Sequence, residues 1–167
     1  MSFLPIPAEG ELTPEAQAAA EAHLARFGGE LGLADRALLA EPVAFEAYRG
    51  WHRLREEIVP YLGERAVDLY CYALTSALGA RACAAGFRAG LAAGGDDPDA
   101  PQVTDAEQLL IDWGRAIGAD PAAVPGELAE RVEQTFQPRL RVLLSAFAGQ
   151  TAALAVFTLA ARLGGAE

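Results

Sequence analysis

Two thiols, two imidazoles and a carboxylate set in an apolar run are the side chains of this 167-residue chain best suited to covalent or proton-transfer chemistry. Cys83 sits in Ala80-Arg81-Ala82-Cys83-Ala84-Ala85-Gly86-Phe87. A thiol attacks only as its thiolate, so Cys83 needs a helix N-terminus, a cation or a histidine to lower its pKa. The flanking residues promise no histidine, and the competing reading is a small buried hydrophobe among alanines. Asp68 lies in Ala66-Val67-Asp68-Leu69-Tyr70-Cys71-Tyr72. On one continuous helix Asp68, Tyr72, Thr75, Gly79 and Cys83 would share a face. A buried acid in that row would have a raised pKa and serve as a general acid or base. Its alternative is an ion pair with Arg65, Arg81 or another arginine. The hydroxyls of Thr75 and Ser76 complete the polar groups of this segment.

The two histidines, His23 and His52, both lie upstream of it. His52, in Tyr48-Arg49-Gly50-Trp51-His52-Arg53, is a candidate for a pocket mouth, but a lone histidine on a charged helix is expected to be solvated. Two scattered histidines and two separated cysteines make no metal-ligand spacing, and neither a phosphate-cradling loop, a dinucleotide fingerprint nor a nucleophile elbow occurs. No metal and no cofactor is expected.

Helices must position these groups. Thr13 is an N-cap ahead of Pro14, and Gly28-Gly29 closes the first helix. A second helix is expected from Pro42 to about Glu57, where Val59-Pro60 disfavours continuation. Helical spacing then runs from Glu64 to Leu78, breaks at Gly79 and resumes from Ala80 to Ala93. The run Gly94 to Pro101 is a loop. Thr104 and Glu107 form a capping box for a helix expected to stop at Gly118. Helices near 126–136 and 138–163 follow, and no strand alternation stands out. Cys71 and Cys83 would be roughly 18 Å apart on one helix, too far for a disulfide, and a bridge would need a reversal at Gly79.

The order of these pieces resembles the carboxymuconolactone decarboxylase and alkylhydroperoxidase D superfamily, in which a glutamate precedes Cys-x-x-Cys by about twelve residues and a histidine follows. Asp68 matches the glutamate, Ala80 the first cysteine, Cys83 the second, and Gly86 and Phe87 the histidine. Glu64 is an alternative match to the glutamate, with the cysteine spacing then off by four residues. Outside this segment, Phe3-Leu4-Pro5-Ile6-Pro7, Phe27-Gly28, Glu41-Pro42 with Phe45 to Tyr48, Thr104 to Gln108, Asp120 to Val124 and Thr158-Leu159-Ala160 are similar to the peroxidase-related branch in order and spacing.

The resemblance implies an all-α fold of about seven or eight helices in one domain over 1–167, with N-terminal helices in 1–60, the core segment in 64–95 and C-terminal helices in 104–167. It implies an antioxidant-type protein whose two-cysteine site is lost. Such a protein would be a weak one-cysteine peroxidase at Cys83, with Asp68 assisting, or a binder of a small apolar or peroxide ligand. Pocket candidates are Tyr72, Thr75, Ser76, Gly79, Ala80, Phe87 and His52. The alternatives are a cofactor-free decarboxylase of lactone-like substrates and a non-catalytic interaction protein.

Composition narrows the partners. With 52% hydrophobic and 22% charged residues the chain is globular. Its net charge of −10 repels nucleic-acid phosphate. The N-terminus shows no basic segment leading an apolar core, so a cytoplasmic location is expected. The segment 142–161 carries no charge and is long enough to span a bilayer. Ser145, Gly149, Gln150 and Thr151 near its middle favour instead a helix buried within a homo-oligomer, a dimer, trimer or hexamer, without membrane contact.

Overall fold

Apolar residues recurring at helical spacing, punctuated by glycine and proline, organise the chain into helices throughout. The structure, a computed structural model, describes residues 3–163. Among these are a short 3-10 turn and nine α-helices: α1 Pro14–Phe27, α2 Leu33–Leu38, α3 Pro42–Tyr48, α4 Gly50–Leu62, α5 Glu64–Ala77, α6 Arg81–Ala93, α7 Asp105–Ala119, α8 Gly126–Thr135 and α9 Pro138–Ala160. Only Arg49 separates α3 from α4, and joining them makes eight. No strand occurs among the described residues, and the all-α class follows.

Local chemistry sets most of the boundaries. The Thr13 hydroxyl accepts from the Ala16 amide at 3.2 Å, capping α1, and Thr104 with Glu107 forms the expected reciprocal box at α7. Three boundaries differ from the sequence reading. Helix α4 continues through Pro60 to Leu62; the carbonyl that proline leaves unpaired belongs to Glu56, an exposed residue, so the missing bond can be replaced by solvent. Gly118 does not stop α7; it lies buried in the last turn, where the backbone of α5 leaves no room for a side chain. Helix α9 ends at Ala160 rather than near Leu163.

Helix α5 is the centre of the molecule, its Val67, Leu69, Tyr70, Cys71 and Leu74 almost wholly buried. Helix α7 runs parallel to it, Gly114 against Tyr70 and Gly118 against Leu74. The chain reverses at Gly79, whose φ of 81° is accessible to glycine without strain, and α6 returns antiparallel along α5. The other side of α5 is covered by α4 and α9, tied by the Tyr70 hydroxyl donating to the Leu144 carbonyl at 3.3 Å and by the Trp51 indole donating to Thr151 at 3.0 Å. Helices α1 to α3 form a separate layer around Ala16, Ala20, Leu38, Leu39 and Phe45.

Candidate functional site

The reversal at Gly79 decides where the reactive residues go. Asp68 and Cys83 do not share one helical face; they sit on opposite arms of a hairpin. Asp68 faces Gly90, where a β-carbon would lie 3.5 Å from its carboxylate. Gly90 lies seven residues beyond Cys83, about 10 Å along α6. The row expected from one uninterrupted helix is therefore divided into two sites with different partners.

Asp68 takes the ion-pair alternative, with a partner that the sequence reading did not single out. Arg55 of α4 donates to its Oδ1 at 3.0 Å and also pairs with Glu64. Burial pushes the Asp68 carboxyl up, and Arg55 opposes that shift. Burial likewise disfavours charge on Arg55, but its hydrogen bonds to Glu64 and Asp68 outweigh it and raise its pKa. Asp68 and Glu64 thus grip one guanidinium and fasten α4 to α5, an arrangement that restrains Asp68 as a mobile proton carrier.

Cys83 occupies the first turn of α6, one turn after the buried Ala80. Its sulfur lies 3.3 Å from the Thr158 hydroxyl of α9, and that hydroxyl also donates to the Ala155 carbonyl at 2.8 Å. Burial pushes the Cys83 thiol up; the Thr158 contact offsets part of this, and no charged group contributes to lowering it. The α6 N-terminus favours a thiolate by its dipole, but desolvation dominates. Cys71 is fully buried in α5 and its thiol is raised further. Both cysteines are free.

The pocket candidates separate as well. The Thr75 hydroxyl turns back on its own helix and donates to the Cys71 carbonyl at 2.7 Å. Gly79 is the hinge, Ala80 is buried beneath it, and Phe87 packs near Trp51 with ring centroids 6.2 Å apart. His52 is not a freely solvated histidine: it is half-buried and meets His23 edge to face at 4.5 Å. Tyr72 and Ser76 line a common cavity, an open groove of about 500 Å³ between α5, α7 and the loop after α6. Leu69, Ala73, Val103 and Ile111 give it an apolar lining, and Gln108 and Arg115 add polar groups.

Loop 94–103 is held over this groove by Arg65. The guanidinium donates to both Asp96 oxygens at 2.8 and 2.9 Å and to the Gln102 carbonyl at 2.7 Å, and it pairs with Glu107. Arg88 adds a pair to Asp99. Arg65 holds the Asp96 carboxyl below its usual range. Burial opposes ionisation of Glu107, but the Thr104 amide and Arg65 outweigh it and depress its pKa. Sequence reasoning missed this clamp because its four components are spread from α5 to α7; the acidic loop following an arginine-led helix was the available signal. Among the described residues no group of three His, Cys, Asp or Glu side chains is arranged to hold a metal ion. No protein-family model, curated protein sequence or solved structure matches this chain.

Proposed function

We propose that this chain is a small-molecule-binding protein of the alkylhydroperoxidase D type in which two-thiol chemistry has lapsed. The observation that carries the reading is the α5–α7 groove: about 500 Å³, a lining divided about evenly between apolar and polar surface, and the Tyr72, Ser76, Asp99, Gln108 and Arg115 side chains at its polar positions. This volume suits a small organic ligand, and the division of its lining favours an apolar body with an oxidised, hydrogen-bonding end. Cys83 belongs to the α6–α9 contact and Asp68 to the Arg55 ion pair, so binding in the groove needs neither.

Octanoate is a suitable probe because it combines an aliphatic chain with a carboxylate that Arg115 can pair with. NMR titration is expected to shift the amides of Tyr72, Ser76 and Ile111, and Ile111→Trp, which fills the groove, to suppress the shifts. Cys83→Ser should leave them intact. No saturable shift with octanoate, or shifts that persist when the groove is filled, would reject this reading of the ligand.

A one-cysteine peroxidase is the second reading, favoured by the position of Cys83 in the first turn of α6 and its partial exposure. Its thiolate would attack a peroxide oxygen, leaving a sulfenic acid and water or an alcohol, and an external thiol would resolve the product. Because the Cys83 thiol is raised, this reaction is expected to be slow at neutral pH. Rapid peroxide turnover abolished by Cys83→Ser would favour catalysis over binding alone.

The homo-oligomer proposal rests on the outward face of α9. Val142, Ala146, Gly149, Ala153, Val156 and Ala160 are exposed along it at alternating spacings of four and three. That 3.5-residue period suits a partner helix. The order is self-complementary in an antiparallel pair, with Val142 opposite Ala160, Ala146 opposite Val156 and Gly149 opposite Ala153. Helix α9 also has the length and mean hydropathy, 1.8, of a membrane span, but its other face packs into the protein through Leu144, Phe147, Thr151 and Ala155. A cytoplasmic homo-oligomer without a membrane or nucleic-acid partner is the corresponding proposal for location and assembly.

A further inference from the structure

His23 of α1 and His52 of α4 form the joint between the N-terminal layer and the rest of the molecule. Their ring centroids are 4.5 Å apart at 81°, and each also meets Phe27, at 5.1 and 4.8 Å. Phe45 lies 5.4 Å from His23 and Trp51 4.9 Å from His52. His23 is only 4% exposed and its Nδ1 has no hydrogen-bond partner. The pair borders a cavity of about 20 Å³, room for about one water. This packing accepts neutral imidazoles.

The surroundings offer limited compensation for two imidazolium ions. Asp35 of α2 faces His23, but its Oδ2 already accepts from the Gly32 amide at 2.9 Å. Glu46 of α3 is paired with Arg49, and Glu56 of α4 with Arg26 of α1. Arg49 and Arg55 add positive potential at His52, while α9 contributes Leu154 to the cavity wall.

We propose that the His23–His52 pair is an acid-sensitive latch whose protonation releases α1 to α3 from α4 and α9. Two unit charges about 4.5 Å apart in this joint repel; the Asp35 carboxylate facing His23 offsets part of that repulsion, while Arg49 and Arg55 add to it at His52. Opening lets both imidazoles hydrate and separate, exposing Phe27 and Phe45 as the layer moves away. The central packing of α5 against α7 does not pass through this joint and stays closed.

The pH window follows from the direction of titration. Burial lowers the His23 pKa and lowers His52 to about 4, with His23 and the nearby arginines adding to the latter shift. The open form therefore binds more protons as pH falls from about 6.5 toward 4. His52 favours opening by up to tenfold per pH unit in this interval, and His23 adds up to the same factor where the pH lies above its own lowered pKa, a ceiling of a hundredfold for both. Asp35, which burial holds above the usual carboxylate range, partly opposes the trend because it protonates more readily in the closed form.

Amide hydrogen exchange, corrected for intrinsic rates, tests the latch on the full chain. Between pH 6.5 and 4 the amides of α1 should lose protection by up to a hundredfold per unit, while those of α5 and α7 retain theirs. His52→Gln should reduce that slope to tenfold or less. If the variant does not fold, NMR titration of the wild-type imidazoles supplies the test: both must take up protons together with the loss of α1 protection. Unchanged α1 protection down to pH 4, equal loss in every helix, or histidines that titrate without α1 opening would each overturn the proposal.

Discussion

Replacing Gly118 by alanine should destabilise the protein even though alanine is the better helix former. A β-carbon at this position would lie 2.2 Å from the Leu74 carbonyl oxygen, 3.0 Å from its carbon and 3.1 Å from the Ala77 Cβ. Ordinary contact begins near 3.4 Å, so the closest pair must separate by about 1.2 Å. The Leu74 oxygen cannot move alone, because it accepts from the Leu78 amide at 3.0 Å at the end of α5. Either that bond weakens or α7 moves away from the central helix, taking Leu110 and Gly114 out of register.

Overpacking in a close-packed interior costs about 1–3 kcal/mol, and an obstruction by backbone belongs at the upper end. Helix propensity returns about 1 kcal/mol. The expected net loss is about 2 kcal/mol, a fall in Tm of about 4–8 °C for a domain of this size. Gly86 supplies the control: it lies within α6 and a β-carbon there meets nothing within 4 Å. Gly86→Ala should stabilise by about 0.5–1 kcal/mol. Urea unfolding followed by circular dichroism measures both changes. A Gly118→Ala protein as stable as wild type would refute the close α5–α7 approach.

Two other perturbations read the clamp over the groove and the outer face of α9. Arg65→Gln removes the fork on Asp96 and the Gln102 carbonyl, so amides in 94–103 should exchange faster and octanoate should bind more weakly, with α9 exchange unchanged. Acid should loosen the same loop: the depressed Asp96 and Glu107 pKa values stabilise the folded form at neutral pH, and that contribution is lost as pH falls through their folded pKa values. Exchange in 94–103 indifferent to both changes would remove Arg65 from its role as clamp. On α9, Val156→Arg places a charge in the exposed apolar seam, at a side chain 54% exposed in the single chain. Light scattering should show conversion of an oligomer to monomers without loss of helix content; an oligomer that persists would place its contact elsewhere.

The helices were legible because their signals are local. Thr13 with Pro14, Thr104 with Glu107, and the apolar period of α5 act within a few residues, so they can be read before any tertiary contact is known. Gly118 shows the limit of that reading. In sequence it has the form of a helix terminator, yet its missing side chain is required by the Leu74 carbonyl on another helix. Short α2 lacked the length for a clear period, and Pro60 was overestimated as a stop because the exposure of Glu56, one turn before it, is a tertiary fact.

The candidate site turned on a single residue. If Gly79 continued a helix, Asp68 and Cys83 would stand on one face and an acid could serve a thiol; with φ at 81° the same residues lie on opposing arms. One-dimensional spacing cannot distinguish these cases, because glycine admits both at little cost. The fold then gives each reactive group a different neighbour: Arg55 for Asp68, Thr158 for Cys83, and His23 for His52. Tyr72 and Ser76 remain together since they are one turn apart on α5 and face the same groove. Their pairing survives the reversal because it depends only on helical pitch, whereas every pairing that crossed Gly79 depended on a direction the local sequence did not specify.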